Sequence, residues 1–277
     1  MKLTAKLLAA ALLAHAAPVR AAQPEELITL QGMDRKITDT AVPDAQPAAF
    51  RLNRQPGGAP VSSYIRAVKR SGSRYTNIRW SVKDKNSYNW DSAAINPDAV
   101  EQVYWGENIG GVGHAFVAFK FKPGGFTGAR YGAARYLVVS VEAVLQEDED
   151  SIGFDNSHGI VWLLSTLENY AKIVAGDDTT FNLWPFSAKV GREDMVKMVK
   201  TALAQAVVDR SDQHFNLAFN NCTTNALSII NSGLNEDLQV FSHIPARASM
   251  MLAGKGLLGE GRQFSPENPG GGLVKPK

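Results

Sequence analysis

The sequence predicts an α+β fold in which an antiparallel sheet packs against helices. Two runs, "GHAFVAFKF" (residues 113–121) and "RYLVVSVEAVL" (135–145), are rich in Val, Phe and Tyr and bounded by glycines, as strands are. A third, "REDMVKMVKTALAQAVVDR" (192–210), carries apolar residues at helical spacing. The strand-like segments come first and the helical ones after them. That order favours an antiparallel sheet over an alternating, doubly wound one.

The elements follow from the N-terminus. "MKLTAKLLAAALLAHAAPVRAAQPEEL" has Lys2 and Lys6 ahead of an apolar stretch, Leu7 to Ala17, too short to span a bilayer. Small residues around Val19-Arg20-Ala21 suit a signal peptidase, so residues 1–22 are expected to be a signal peptide. No later apolar run reaches the ~20 residues of a transmembrane helix. The expectation is an exported, periplasmic protein. Residues 23–60 are rich in Pro, Ala and Gln and predict an extended arm. One domain is expected over 61–260.

Within it, "SGSRYTNIRWSV" alternates Tyr75, Ile78 and Trp80 as a strand does, and "INPDAVEQVYWGEN" suggests a turn and a short segment. The runs at 113–121 and 135–145 predict a hairpin joined by "KPGGFTGARYGAA". "GIVWLLSTLENYAKIVAG" fits either a short helix or a strand passing into one. In the 192–210 helix, Met195, Met198, Val199, Ala202, Leu203, Ala206 and Val207 form one stripe. A second helix should start near Cys222 and stop at Gly233. The end, 261–277, with "SPENPGGG", predicts a flexible tail.

Composition narrows the function. Hydrophobic residues make up 44% of the chain and charged residues 20%, an ordinary globular balance. A net charge of +2, with no Lys/Arg-rich block, does not favour nucleic acid. One cysteine with scattered histidines shows no metal-ligand spacing, and no phosphate loop or other cofactor motif is present. No G-x-S-x-G elbow supports a serine hydrolase.

The single cysteine, in "FNNCTTNALSII" (219–230), has no partner for a disulfide within the chain. Cap-forming Asn and Thr residues surround it at a predicted helix start. Unpaired N–H groups and the helix dipole there favour a thiolate and can hold an oxyanion. A Cys nucleophile needs a base. His114 follows "GGVG" at the lip of a strand and is the best placed; His158 and His214 lie in polar turns that predict solvated rings, and His243 is uninformative. Glu142 interrupts an apolar strand and suits the group that orients the base. If the hairpin pairs residues whose numbers sum to about 256, His114 faces Glu142 across the strands.

Four stretches, "YTNIRWSV", "YWGENIGGVGHAFVAFKF", "YLVVSVEAVLQEDEDSIGF" and "FNLAFNNCTTNAL", resemble the periplasmic domain of Lnb-type bacterial lipoprotein N-acyltransferases over about residues 64–235. "GHAF", "SVEA" and "NNCTTN" carry most of the likeness. The resemblance implies a circularly permuted papain-like (NlpC-like) domain, with the His strand ahead of the Cys helix. It implies catalysis by Cys222, His114 and Glu142, with Asn221 as oxyanion support and Arg79 in a substrate or structural contact. The implied partners are a phospholipid acyl donor and a lipoprotein acceptor. Lnb-type proteins often carry membrane helices after this domain. Without them, lipid would be reached from solution or through an exposed apolar surface, as a peripheral membrane contact. The alternative with the same residues is a cysteine hydrolase, a phospholipase or a cell-wall peptidase or amidase. A binding protein without catalysis is the third expectation.

Overall fold

The computed structural model describes residues 50–52, 68–82, 88–109, 113–146, 158–170, 180–210, 213–240, 244–265 and 268–275. The expected leader, 1–22, and the arm, 23–60, lie outside these apart from residues 50–52.

The described chain is mixed α and β, with a large sheet and a few helices. The strands are β1 (Phe50–Leu52), β2 (Lys69–Ser71), β3 (Arg74–Val82), β4 (Tyr88–Ile95), β5 (Val100–Ile109), β6 (His114–Phe121), β7 (Phe126–Gly128), β8 (Tyr136–Gln146), β9 (His158–Thr166), β10 (Thr180–Pro185), β11 (His214–Phe215), β12 (Gly261–Ser265) and β13 (Asn268–Val274). The helices among the described residues are α1 (167–170), α2 (Arg192–Ala206), α3 (Cys222–Leu234) and α4 (Pro245–Gly254). The main sheet runs β13-β12-β10-β5-β6-β8-β9-β3-β4-β7. Its pairings are antiparallel except where β3 meets β9 at Arg79 and Ser165.

Strand β6 shows why the sheet is buried on both sides. Ala115, Val117, Phe119 and Phe121 join the larger core with α2 and α3. Phe116 and Ala118 point the other way, into a smaller cluster with Val138, Tyr170, Phe181 and Leu183. A strand buried on both faces is nearly all apolar, which is why "HAFVAFKF" shows so little polar alternation. Strands β6 and β8 pair from Phe116 and Ser140 to Lys120 and Tyr136, each pair summing to 256. At the far end the Phe121 N–H donates to the Arg135 carbonyl at 2.8 Å.

Helix α2 buries Met198, Val199, Ala202, Leu203 and Ala206, with Met195 and Val207 packed at its margin. Helix α3 begins at Cys222 but runs past the expected stop. The left-handed C-terminal residue is Asn235, at φ 53°. Gly233 instead lies where α3 meets α2: a Cβ on it would fall 2.5 Å from the Asp194 carbonyl oxygen and 2.6 Å from Met198 Cγ.

Two further expectations are corrected and one open choice is settled. "INPDAVEQVYWGEN" forms a 3-10 turn, Pro97–Ala99, capped by the Asn96 side chain, and then the ten-residue strand β5, longer than expected. The 158–170 stretch is a strand passing into a helix. The expected flexible tail carries β12 and β13, hydrogen-bonded through β10 into the sheet. Strands therefore also follow the helices in the chain. The pairing comes from distant β10, which local Gly and Pro content does not reveal.

Candidate functional site

Helix α3 starts with a tight local structure. Asn221 is fully buried at the N-cap, its Oδ1 accepting from the Thr223 and Thr224 N–H groups at 2.9 and 3.0 Å. The Thr224 hydroxyl closes the box by accepting from the Asn221 N–H at 3.0 Å. Asn221 Nδ2 donates to the Leu217 carbonyl at 2.8 Å. This cap fixes the direction in which Cys222, the first helical residue, leaves the turn. It takes the N–H groups of Thr223 and Thr224 and leaves that of Cys222 outside the box. The Asn221 side chain, expected as oxyanion support, is engaged in the cap.

Cys222 is buried, 6% exposed, and has no disulfide partner. Two groups of β6 reach its sulfur. The His114 imidazole hydrogen-bonds to it, and so does the backbone N–H of Ala115. Burial pushes the thiol up, but the His114 charge and hydrogen bond, with the Ala115 N–H, pull it down further. Glu142 opposes them weakly, and the result is a thiol below its ordinary range.

The other side of the imidazole is held by β8. His114 Nε2 lies 3.0 Å from Glu142 Oε1 and 2.7 Å from Ser140 Oγ. The Ser140 hydroxyl donates to Glu142 Oε1 at 2.5 Å. Since that hydroxyl spends its proton on the carboxylate, it receives from the His114 Nε2–H. With Nε2 protonated, Nδ1 carries the lone pair and is the nitrogen available to the thiol. All four side chains are buried. Such an arrangement can deprotonate Cys222 and hold the resulting imidazolium against a carboxylate.

The structure thus brings together Cys222, His114 and Glu142, with Asn221 adjacent in the chain. It does not bring Arg79 to them. Arg79 pairs with Ser165 of β9, whereas Glu142 pairs with Val161 of the same strand. Four residues along a strand span about 13 Å. Arg79 is buried with its guanidinium over the Trp90 ring, 5.6 Å from the centroid. His158, expected to be solvated, is buried at the start of β9, paired across the strands with Phe215. The polar turn composition around it misleads because β9 is buried along its whole length. His214 is exposed, and His243 lies outside the described residues.

Ser140 is the site residue that the sequence reading missed. Its signal was present: it sits two positions before Glu142 and so shares its face of a strand. Asn108 adds to the same row. It pairs with His114 across β5 and β6, is buried, and accepts from the Tyr170 hydroxyl at 3.1 Å. On the opposite face Glu107 pairs with Ala115 across β5 and β6. Burial pushes its carboxyl up, partly offset by hydrogen bonds from Ser249, Trp105 and Asn182.

Among the described residues no group of three or more His, Cys, Asp and Glu side chains is placed to hold a metal ion. Among them, too, no helix is long and apolar enough to cross a membrane. No protein-family model, curated protein or solved structure matches this chain.

Proposed function

We propose that this protein is a thiol acyltransferase of the cell envelope, exported to the periplasm. It transfers a fatty acyl chain from phospholipid through a Cys222 thioester to the N-terminal amine of a lipoprotein. The observation that carries the thiol chemistry is the sulfur itself: it is flanked by His114 and the Ala115 N–H, while Ser140 and Glu142 hold the far nitrogen of the same ring. The acyl donor and acceptor come from the resemblance of "GHAF", "SVEA" and "NNCTTN" to Lnb-type enzymes. So does the circularly permuted papain-like layout, with which the chain order His114, Glu142, Cys222 agrees.

In this reading the same groups carry each step. His114 Nδ1 takes the thiol proton, and the thiolate attacks the donor's ester carbonyl. The oxyanion forms beside the α3 N-terminus, where the Cys222 N–H is not used by the cap. Collapse breaks the ester C–O bond; the lysophospholipid oxygen leaves with the proton from His114. The acceptor amine then attacks the thioester. Its proton passes to His114, the N–C bond forms, the S–C bond breaks and the thiolate returns. Glu142 stabilises the imidazolium in both halves.

Intact-mass spectrometry after incubation with phospholipid tests this. An added acyl mass is expected on the wild-type chain and none on Cys222→Ser. Absence of the adduct from folded wild-type protein overturns the proposal. Free fatty acid without any acylated amine, when an acceptor peptide is supplied, would assign the same site to hydrolysis.

A further inference from the structure

The donor in this reading sits in a bilayer, so the site must meet a membrane surface. We infer that an anionic lipid bilayer docks on the rim formed by the Asn216–Asn220 turn and the exposed face of α4. This inference rests on the proposed lipid substrate.

Five large hydrophobic residues are exposed among the described ones: Tyr131, Phe219, Ile244, Met250 and Leu273. Single exposed apolar residues need no explanation, but three of these five belong to the two segments that flank the thiol and its base. Phe219 lies three residues before Cys222 and is 73% exposed. Ile244 precedes α4 and Met250 lies on it, at 38% and 58% exposure. Helix α4 is held beside His114 by its first residue. Gly113, at φ 74°, brings the backbone so close to Pro245 that a Cβ there would lie 3.0 Å from Pro245 Cδ.

The turn that carries Phe219 is firmly built. Asn216 and Asn220 exchange backbone hydrogen bonds at 2.9 and 3.0 Å. Asn216 Oδ1 accepts from the Ala218 and Phe219 N–H groups at 2.8 and 3.2 Å. Asn220 Nδ2 donates to the His214 carbonyl at 2.8 Å, and its Oδ1 accepts from Asn225 Nδ2 at 2.9 Å. Five hydrogen bonds around the turn, with the sixth to α3, leave a large aromatic ring standing in water. A rigid turn that presents an aromatic side chain suits insertion into an acyl boundary, where Phe is favoured.

Charge selects the kind of surface. Helix α4, "PARASMMLAG", has no acidic residue, and Arg247 lies exposed on it between Ile244 and Met250. Lys255, at its end, is paired with Glu236 at 3.1 Å, so Arg247 is the cation that faces outward from α4. An exposed cation on a helix that carries no acidic residue of its own complements anionic headgroups.

Vesicle co-sedimentation of the full chain tests the inference, using phosphatidylglycerol-containing and pure phosphatidylcholine vesicles. Wild-type protein is expected to bind the anionic vesicles more tightly. Phe219→Ser is expected to weaken that binding by roughly tenfold to a hundredfold with an unchanged Tm. Arg247→Gln should remove the preference for anionic over zwitterionic vesicles. No vesicle binding by wild-type protein, or binding that Phe219→Ser leaves intact, overturns the docking surface. An acyl adduct on Cys222 from detergent-dispersed phospholipid would in that case leave the acyltransferase standing. Vesicle binding lost in Phe219→Ser, with no adduct from either lipid form, would support the surface and overturn the acyltransferase.

Discussion

Replacing Asn221 with alanine removes the cap that aims Cys222. Three hydrogen bonds go at once: from the Thr223 and Thr224 N–H groups at 2.9 and 3.0 Å, and to the Leu217 carbonyl at 2.8 Å. Asn221 and Thr223 are fully buried, so water is not at hand to replace them. A lost N-cap costs about 1 kcal/mol, and each buried group left without a partner adds about 1–3 kcal/mol, partly overlapping. We expect Asn221→Ala to destabilise the fold by roughly 2–4 kcal/mol. In a domain of about 200 residues that is a Tm lower by roughly 4–16 °C. Urea unfolding measures it directly, as a lower midpoint at unchanged slope. Asn221→Asp is the control. It keeps the acceptor oxygen, loses the bond to Leu217 and costs about 1 kcal/mol. Its charge beside the sulfur should slow thiol alkylation more than it lowers stability. A variant Asn221→Ala of wild-type stability that forms no thioester would refute the reasoning, because the amide would then be acting on substrate and not as a cap.

The thiol has its own pH signature. In His114→Ala only the Ala115 N–H remains to lower the Cys222 pKa, against burial and Glu142, which raise it. The midpoint of iodoacetamide alkylation against pH should move up past the ordinary thiol value of about 8.5. The same shift links to stability. Because the folded thiol ionises below its unfolded value, it contributes stability that is fully present above about pH 8.5 and fades as pH falls through the folded value, an effect His114→Ala removes. Ser140→Ala keeps the direct His114 to Glu142 contact at 3.0 Å but loses the bridging hydroxyl. Acylation measured by intact mass should slow by roughly tenfold or more, and by less than in Glu142→Ala. Gly233→Val forces a side chain against the Asp194 carbonyl and Met198, and should cost about 1–3 kcal/mol in urea unfolding.

How much was legible depended on whether a signal was local. The β6 and β8 runs are long and strongly patterned, so their pairing could be worked out by arithmetic. The pairs from Phe116 and Ser140 to Lys120 and Tyr136 follow the assumed register. The cap at Asn221 was legible because turn and cap residues precede an apolar stripe. Ser140 was not, because a serine in a strand is unremarked until its neighbour on the same face is known to be charged. His158 was misread because the polar residues before it, Asp155, Asn156 and Ser157, say nothing of the strand it begins. Gly233 shows an ambiguity in the rules themselves. Glycine near a helix end serves equally as a left-handed stop or as a place where two helices touch, and only the position of α2 decides. Arg79 and the pair β12 and β13 depend on partners that lie far away in the chain.

The hairpin of β12 and β13 ties the completion of the sheet to the order of synthesis. Strand β10, beside β5, borders open solvent until residues 261–274 have emerged. Until then Phe181 also lacks its stacking partner Phe264, whose ring lies 5.0 Å away and nearly parallel. A nascent chain, or one shortened before Gly261, would offer a bare row of β10 amides and carbonyls beside an uncovered aromatic surface. Such an edge recruits other strands. Ending the chain at residue 260 should therefore produce oligomers in size-exclusion chromatography, and the exposed edge would lie only one strand, β5, away from the His114 strand β6.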